Sequence, residues 1–310
     1  SGKSRLAHSI AWELDLPLTE FVVKSDTQAR DLLYRYDTVG RFHASQAEGR
    51  AADPRRFITF EALGRALLHA KQPAYALGTG EGELRLPAPA VEHPGQATRS
   101  VVLIDEIDKA PRDVPNDLLM EIERMRFTIP ELAGEADSMP AVELGRGEHA
   151  YRPIVVITSN SEKALPEAFL RRCVYHHLEL PPFRSDLKGE EAGNRVTIED
   201  IVQRRLGARF AGGGDQLFAE LMELFRFLRR NALGLVHRPS LAELLNWLDG
   251  LLPRAGTGRP PGGIADLDQS DFLAKSRNLL FKNQPDQAQA EELIAQWRES
   301  RDASPGPGGA

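Results

Sequence analysis

The stretch RSVVLIDEIDKAP at 99–111 constrains the fold more than any other part of this sequence. Its continuous Val-Val-Leu-Ile run is too short for a buried helix and lacks the alternation of a half-exposed strand. It fits a strand buried on both faces, as in a parallel sheet covered by helices. The run ends in two acids, Asp105 and Glu106, at the carboxyl end of the strand, and that edge is where open α/β sheets bind ligands. Neighbouring carboxylates repel in a low-dielectric setting unless a cation or a water network relieves them, so the placement points to a role.

The run PIVVITSN at 153–160 repeats the arrangement, a buried strand ending in polar residues that bring Asn160 beside the strand of Asp105. LPLTEFVVKS (16–25) and CVYHHLEL (173–180) read as two further strands, the latter following a short helix, LPEAFLRR (165–172). Four strands with helices between them predict a three-layer, parallel α/β domain over residues 1–182, closed by Pro181-Pro182. TQARDLLYRYD (27–37) reads as a helix opening at Thr27, and residues 38–98 as an insertion with a short helix near 58–70 and a Gly/Pro-rich stretch. Leu118, Leu119, Ile122 and Met125 share one side of a helix over 113–125, with Pro115 acceptable in its first turn. A β-hairpin is expected within 126–145.

Beyond Pro182 the pattern turns helical, over 197–206, 215–230 and 238–252, the last opening with a capping box of Ser240 and Glu243. These form a smaller domain, 183–252. A flexible linker (253–263), a further helix pair within 264–300 and a disordered tail (301–310) complete the expectation.

The chain opens SGKSRLAHSIAWELD, with Leu6, Ile10 and Leu14 every four residues and Ala7 and Ala11 in the same stripe. That is an amphipathic helix, and it sets Gly2-Lys3-Ser4 at a helix N-terminus, where unpaired N–H groups attract phosphate. With this tripeptide present, Asp105 can hold Mg²⁺ together with the Ser4 hydroxyl. Glu106, pointing differently, can orient and deprotonate an attacking water.

The formal charge of −6, from 39 basic and 45 acidic residues, leaves no overall footprint for nucleic acid or an anionic membrane. No apolar run is long enough to span a bilayer and no signal stretch is present, so a soluble cytoplasmic protein is expected. The single Cys173, beside an apolar run, is expected to be packed rather than reactive. His176 and His177 would face opposite sides of a strand, and no zinc or iron site is legible.

In this order, GKS, VVLIDEID, IVVITSN, LPEAFLRRC and HRPSLAELLNW resemble an AAA+ ATPase: Walker A, Walker B, sensor 1, arginine finger, and a lid bearing sensor 2. The wording DEIDKAP, the ALPEAFLRR after sensor 1 and the two extra segments resemble the MoxR-type branch over residues 1–250. The resemblance implies a P-loop NTPase core with a helical lid that binds and hydrolyses ATP with Mg²⁺. By position, Lys3 would contact the β- and γ-phosphates with Gly2 in the loop, and Ser4 would ligate the metal. Asp105 would organise the metal's shell, Glu106 would be the catalytic base and Asn160 sensor 1. Arg171 and Arg172 fall where the finger lies, the second matching better, and Arg238 is the sensor 2 candidate. A finger acting on a neighbour's nucleotide implies a closed ring, which in this family is a hexamer. The family further implies remodelling of a protein client, often alongside a von Willebrand factor A domain protein, with the insertion and the hairpin as gripping surfaces. Two other readings stand beside it, a nucleotide-dependent scaffold with negligible hydrolysis and a nucleic-acid-directed motor, which the acidic balance disfavours. Because the first residue falls inside the Walker A motif, residues 1–310 are expected to lack part of the phosphate cradle and the preceding central strand, and to bind ATP poorly.

Overall fold

The computed structural model describes residues 2–73, 92–133, 140–160, 165–188, 195–231, 235–252, 258–268 and 272–302. The Gly/Pro-rich part of the expected insertion (74–91), the turn of the hairpin (134–139), part of the linker (253–257) and the tail from 303 lie outside the described residues. The chain divides into two compact units, Gly2–Leu178 and Glu179–Ala310.

In the first unit the Val-Val-Leu-Ile run forms the middle strand of a parallel sheet. Strand β1 (Leu18–Val22) and strand β7 (Ile154–Ile157) flank β4 (Val101–Asp105), with Val22 opposite Asp105 and Ile104 opposite Ile157. Alternation along β4 sends its side chains to two helical layers. Val101 and Leu103 pack with Ala7 and Ala11 of helix α1 (Lys3–Glu13), while Val102 and Ile104 join a larger core on the other face. That core includes Leu63, Ala66 and Leu67 of helix α3 (Ala62–His69), and Leu118 and Leu119 of helix α4 (Val114–Arg124). The three-layer arrangement expected of the α/β unit is therefore present. Helix α4 buries the predicted face, with Pro115 in its first turn.

Three expectations for the first unit are corrected. The segment 173–180 is not a strand, and Val174 and Tyr175 are exposed. A strand exists only by pairing, and among the described residues β7, partly buried along its whole length, bonds β4 alone. The segment 27–37 is not a helix: a single 3₁₀ turn (Ala29–Leu32) leads into strand β2 (Tyr34–Tyr36), which pairs antiparallel with β3 (Ile58–Phe60). Tyr34 is fully buried, stacks on Phe127 with ring centroids 6.1 Å apart and donates its hydroxyl to Glu131, while Arg35 points outward. That alternation, favoured by aromatic strand propensity, overrides the Leu-Leu spacing. Thr27 caps no helix; its hydroxyl accepts the Lys24 N–H. Finally, α1 packs through Ala7, Ala11 and Ile10, while Leu6 and Leu14 are exposed.

Between β2 and β3 the chain makes an excursion through helix α2 (Thr38–Glu48), which ends at Gly49 in the left-handed conformation, φ 64°. Helix α3 crosses so near residue 33 that a Cβ on Gly64 would lie 1.9 Å from the Leu33 carbonyl oxygen, a separation only glycine allows. Strand β5 (Arg126–Thr128) pairs antiparallel with β6 (Ala141–Glu143), as the hairpin reading expected.

The second unit is helical. Helices α6 (Ile198–Phe210), α7 (Asp215–Arg230) and α8 (Leu241–Leu251) match the three predicted segments, and Ser240 and Glu243 form the capping box of α8. After the linker come three helices rather than a pair: α9 (Ile264–Asp268), α10 (Phe272–Leu280) and α11 (Gln284–Asp302). Leu221, Phe225, Trp247 and Leu248 share one buried cluster with Ile264, Phe281, Ile294 and Trp297, so segments 183–252 and 264–300 build a single core. No helix among the described residues is long and apolar enough to cross a membrane.

Candidate functional site

The carboxyl ends of β4 and β7 and the N-terminus of α1 converge, and five of the sequence-predicted residues meet there. Lys3 Nζ donates to the Ser159 carbonyl oxygen at 2.7 Å and to Asn160 Oδ1 at 2.5 Å. Ser4 Oγ donates to Asp105 Oδ1 at 2.8 Å. Asn160 Nδ2 in turn donates to Glu106 Oε1 at 3.2 Å. The network spans about a hundred and fifty residues of sequence because parallel strands in register bring their ends to one edge.

Glu106 sits immediately beyond β4 at φ 62°, ψ 48°. A left-handed backbone at a residue with a long side chain costs of order 1–3 kcal/mol and persists only where the surroundings impose it. Here the Glu106 N–H donates to Thr158 Oγ1 at 3.0 Å and the Ile107 N–H to the Thr158 carbonyl at 2.9 Å. The two adjacent acids take different partners, Asp105 the hydroxyls of Ser4 and Thr158 and Glu106 the side chains of Asn160 and Lys109. Glu106 Oε2 accepts from Lys109 Nζ at 2.6 Å, because the intervening 3₁₀ turn (Ile107–Lys109) stacks residues three apart.

Three participants escaped the sequence reading. Thr158 is buried, and its hydroxyl donates to Asp105 Oδ1 at 2.5 Å while accepting from the Glu106 backbone, which ties both acids to β7. Asp108, also buried, accepts the Asn160 N–H at 3.2 Å on each oxygen and so orients that residue. Lys109 neutralises Glu106. A hydroxyl at the end of a strand adjacent in the sheet was the available signal for Thr158; the ion pair needed knowledge of the 3₁₀ turn.

The remaining candidates lie elsewhere or do less. Gly2 caps α1 at φ −78°, and a Cβ there would meet nothing within 4 Å, so the described residues impose no need for glycine. Arg171 and Arg172 follow the short helix α5 (Glu167–Leu170) and are engaged by local acids: Arg171 with Glu167 at 3.0 Å and Arg172 with Glu123 of α4 at 2.7 Å. Arg171 keeps the more exposed side chain, 74% against 49%. Arg238 belongs to the helical unit, is exposed, and depresses the neighbouring Arg229, whose affinity for its proton is lowered first by burial and then by this charge. Cys173 packs against the core of its own unit, and burial pushes its thiol up, as expected of a packed rather than reactive cysteine.

The donor set suits a metal-bound phosphate. A serine hydroxyl and a carboxylate within hydrogen-bond reach are the hard oxygen ligands that Mg²⁺ takes, and an ammonium at the first turn of a helix adds positive charge where unpaired N–H groups already point. No curated protein matches the chain. The family model of the AAA domain, dynein-related subfamily, matches residues 1–173, which is more than half of the 310 and ends close to the boundary of the α/β unit. By its matched sequence, its parallel sheet and the grouping of Lys3, Ser4, Asp105 and Glu106 at one sheet edge, the chain belongs to the ATP-binding AAA domain family, dynein-related subfamily.

Proposed function

We propose that the protein is a Mg²⁺-dependent ATP hydrolase of the MoxR type that uses turnover to remodel a protein partner. The observation that carries this reading is the joint held at the β4 and β7 ends: Asp105 and Glu106 are adjacent in sequence but take different partners, Glu106 from a left-handed backbone.

Ser4 and Asp105 would hold the metal, which when bound would neutralise charge on the β- and γ-phosphates. Lys3 contacts those phosphates, and to do so its ammonium must leave Ser159 and Asn160. Asn160, released on its Oδ1 side, is then free to orient water or the γ-phosphate. Glu106 removes the proton from the attacking water, a role that requires its Oε2 to part from Lys109. Asp108 and Thr158 touch no substrate in this scheme; they position Asn160 and the two acids. Arg171 or Arg172 serves a neighbouring subunit's nucleotide in a closed ring, hexameric in the MoxR pattern, where a finger contributes roughly 10³ to 10⁵ in rate. Arg238 acts as sensor 2, and a von Willebrand factor A domain protein is the partner the resemblance favours.

Steady-state phosphate release by the full-length protein, with MgATP and then with the metal chelated, tests the reading. Metal-dependent turnover is expected. ATP binding without turnover would replace it by a nucleotide-dependent scaffold, and turnover raised by DNA or RNA at moderate salt would replace it by a nucleic-acid motor.

A further inference from the structure

The excursion between β2 and β3 contributes little to the core that supports it. Helix α2 has no buried residue, and Val39 and Phe42 on its outer side are 65% and 59% exposed. The helix is held instead by polar ties on its inner side. Arg41 donates to the Ala52 carbonyl at 3.1 Å and to the Tyr36 hydroxyl at 2.8 Å, and Ser45 Oγ accepts the Ala52 N–H. The helix is thus held by polar contacts rather than by burial of an apolar face.

A basic cavity of about 570 Å³ lies between α2 and residues 50–56, lined by Arg41, Arg50, Arg55 and Arg56 against two acids, Glu48 and Asp53. Asp53 is gripped by Arg55, whose guanidinium holds its carboxyl below the usual range, and Glu48 is shared by Arg56 at 2.6 Å and Arg50 at 3.8 Å. Arg41 donates to two uncharged oxygens, and Arg50, whose side chain is 82% exposed, meets Glu48 at 3.8 Å. Four guanidinium charges thus meet two carboxylates, an excess of two positive charges around one open cavity.

We propose that this cavity binds a segment of the protein partner that offers paired Asp or Glu side chains. Guanidinium forks bind carboxylates in two parallel hydrogen bonds, the geometry Arg55 already shows with Asp53. A phosphodiester track is the poorer fit, because Glu48 and Asp53 interrupt the basic lining and the chain as a whole is acidic. The inference rests on the protein-remodelling reading and names the chemistry of the partner.

The test is fluorescence anisotropy with the full-length protein, without nucleotide, and a fluorescein-labelled nonapeptide of alternating Asp and Glu. The counterpart peptide carries Asn and Gln instead. The acidic peptide binds, the amide peptide binds at least about tenfold more weakly, and Arg50→Glu, which gives up the 3.8 Å contact with Glu48 but none of the hydrogen bonds that hold α2, weakens the acidic peptide about ten- to a hundredfold. Arg41→Gln is the second variant, checked by circular dichroism. Failure of the acidic peptide to bind, or equal binding by wild type and both variants, overturns the proposal. So does an Arg50-dependent preference for a single-stranded oligonucleotide. Because no ATP is present, these failures leave the hydrolysis result untouched and are distinct from failure of the ATPase reading.

Discussion

Two buried carboxylates of the helical unit and the two acids at the end of β4 are satisfied in different ways. In the helical unit Asp286 accepts the backbone N–H groups of Val236 and His237, and Glu220 accepts the Ile264 N–H together with Arg301. At the sheet edge Asp105 is held by the hydroxyls of Ser4 and Thr158, and the Glu106 carboxylate by Lys109 and Asn160. Backbone donors cannot leave without unfolding something, whereas side-chain donors can rotate toward a ligand. Acids of the first kind stabilise a fold; those of the second kind are available for chemistry. Substitutions in the helical unit should therefore change stability, and those at the sheet edge should change activity first.

The largest stability effect is expected at Trp247, which is buried and donates to Ser276 Oγ at 3.0 Å. Trp247→Ala should cost about 3–5 kcal/mol in denaturant unfolding. At the sheet edge Lys3→Ala should weaken ATP binding about ten- to a hundredfold, the worth of a charge-assisted contact of about 1.5–3 kcal/mol, and leave thermal stability nearly unchanged. An equal loss of stability for that variant would erase the contrast.

Thr158→Val lies between the two kinds, since it removes a buried hydroxyl that serves both acids. It should cost about 1–3 kcal/mol and also lower turnover; a stability loss with unchanged turnover would make Thr158 purely structural.

The smallest effect is one of pH. Asp200 is held at about 2 by hydrogen bonds from the Thr197 side chain and backbone and from Arg184. Burial pushes Glu220 and Asp286 up, but their hydrogen bonds outweigh it and hold both below the usual carboxylate range. Folded values below the unfolded ones mean that this stability is complete above about pH 5 and is lost progressively as pH falls toward 2. Trp247 and Trp297 are buried in the helical unit while Trp12 is exposed, so tryptophan fluorescence follows that unit's melting between pH 5 and pH 3. An unchanged midpoint would show these acids to be bystanders.

What the sequence revealed follows from which physics is local. The Val-Val-Leu-Ile run was legible because burial on both faces removes alternation, and the capping box of α8 because Ser240 and Glu243, three residues apart, bond to each other. The Lys3, Ser4, Asp105, Glu106 and Asn160 grouping was legible through motif order. Residues 27–37 and 173–180 were misread because strand formation depends on a neighbour that local pattern does not show: Tyr34–Tyr36 has one in β3, and 173–180 has none among the described residues. Thr158 and Lys109 were missed for the same reason, each defined by a partner's geometry rather than by its own surroundings in the chain.

The central claim is that Glu106, freed from Lys109 and Asn160, acts as the base while the rest of the site binds nucleotide. It is tested most directly by Glu106→Gln in the full-length protein, with MgATP affinity and phosphate release measured on the same samples. The account predicts affinity within a few-fold of wild type and a fall in turnover of about 10²- to 10⁴-fold, the contribution of a general base. Turnover equal to wild type with intact binding would contradict it.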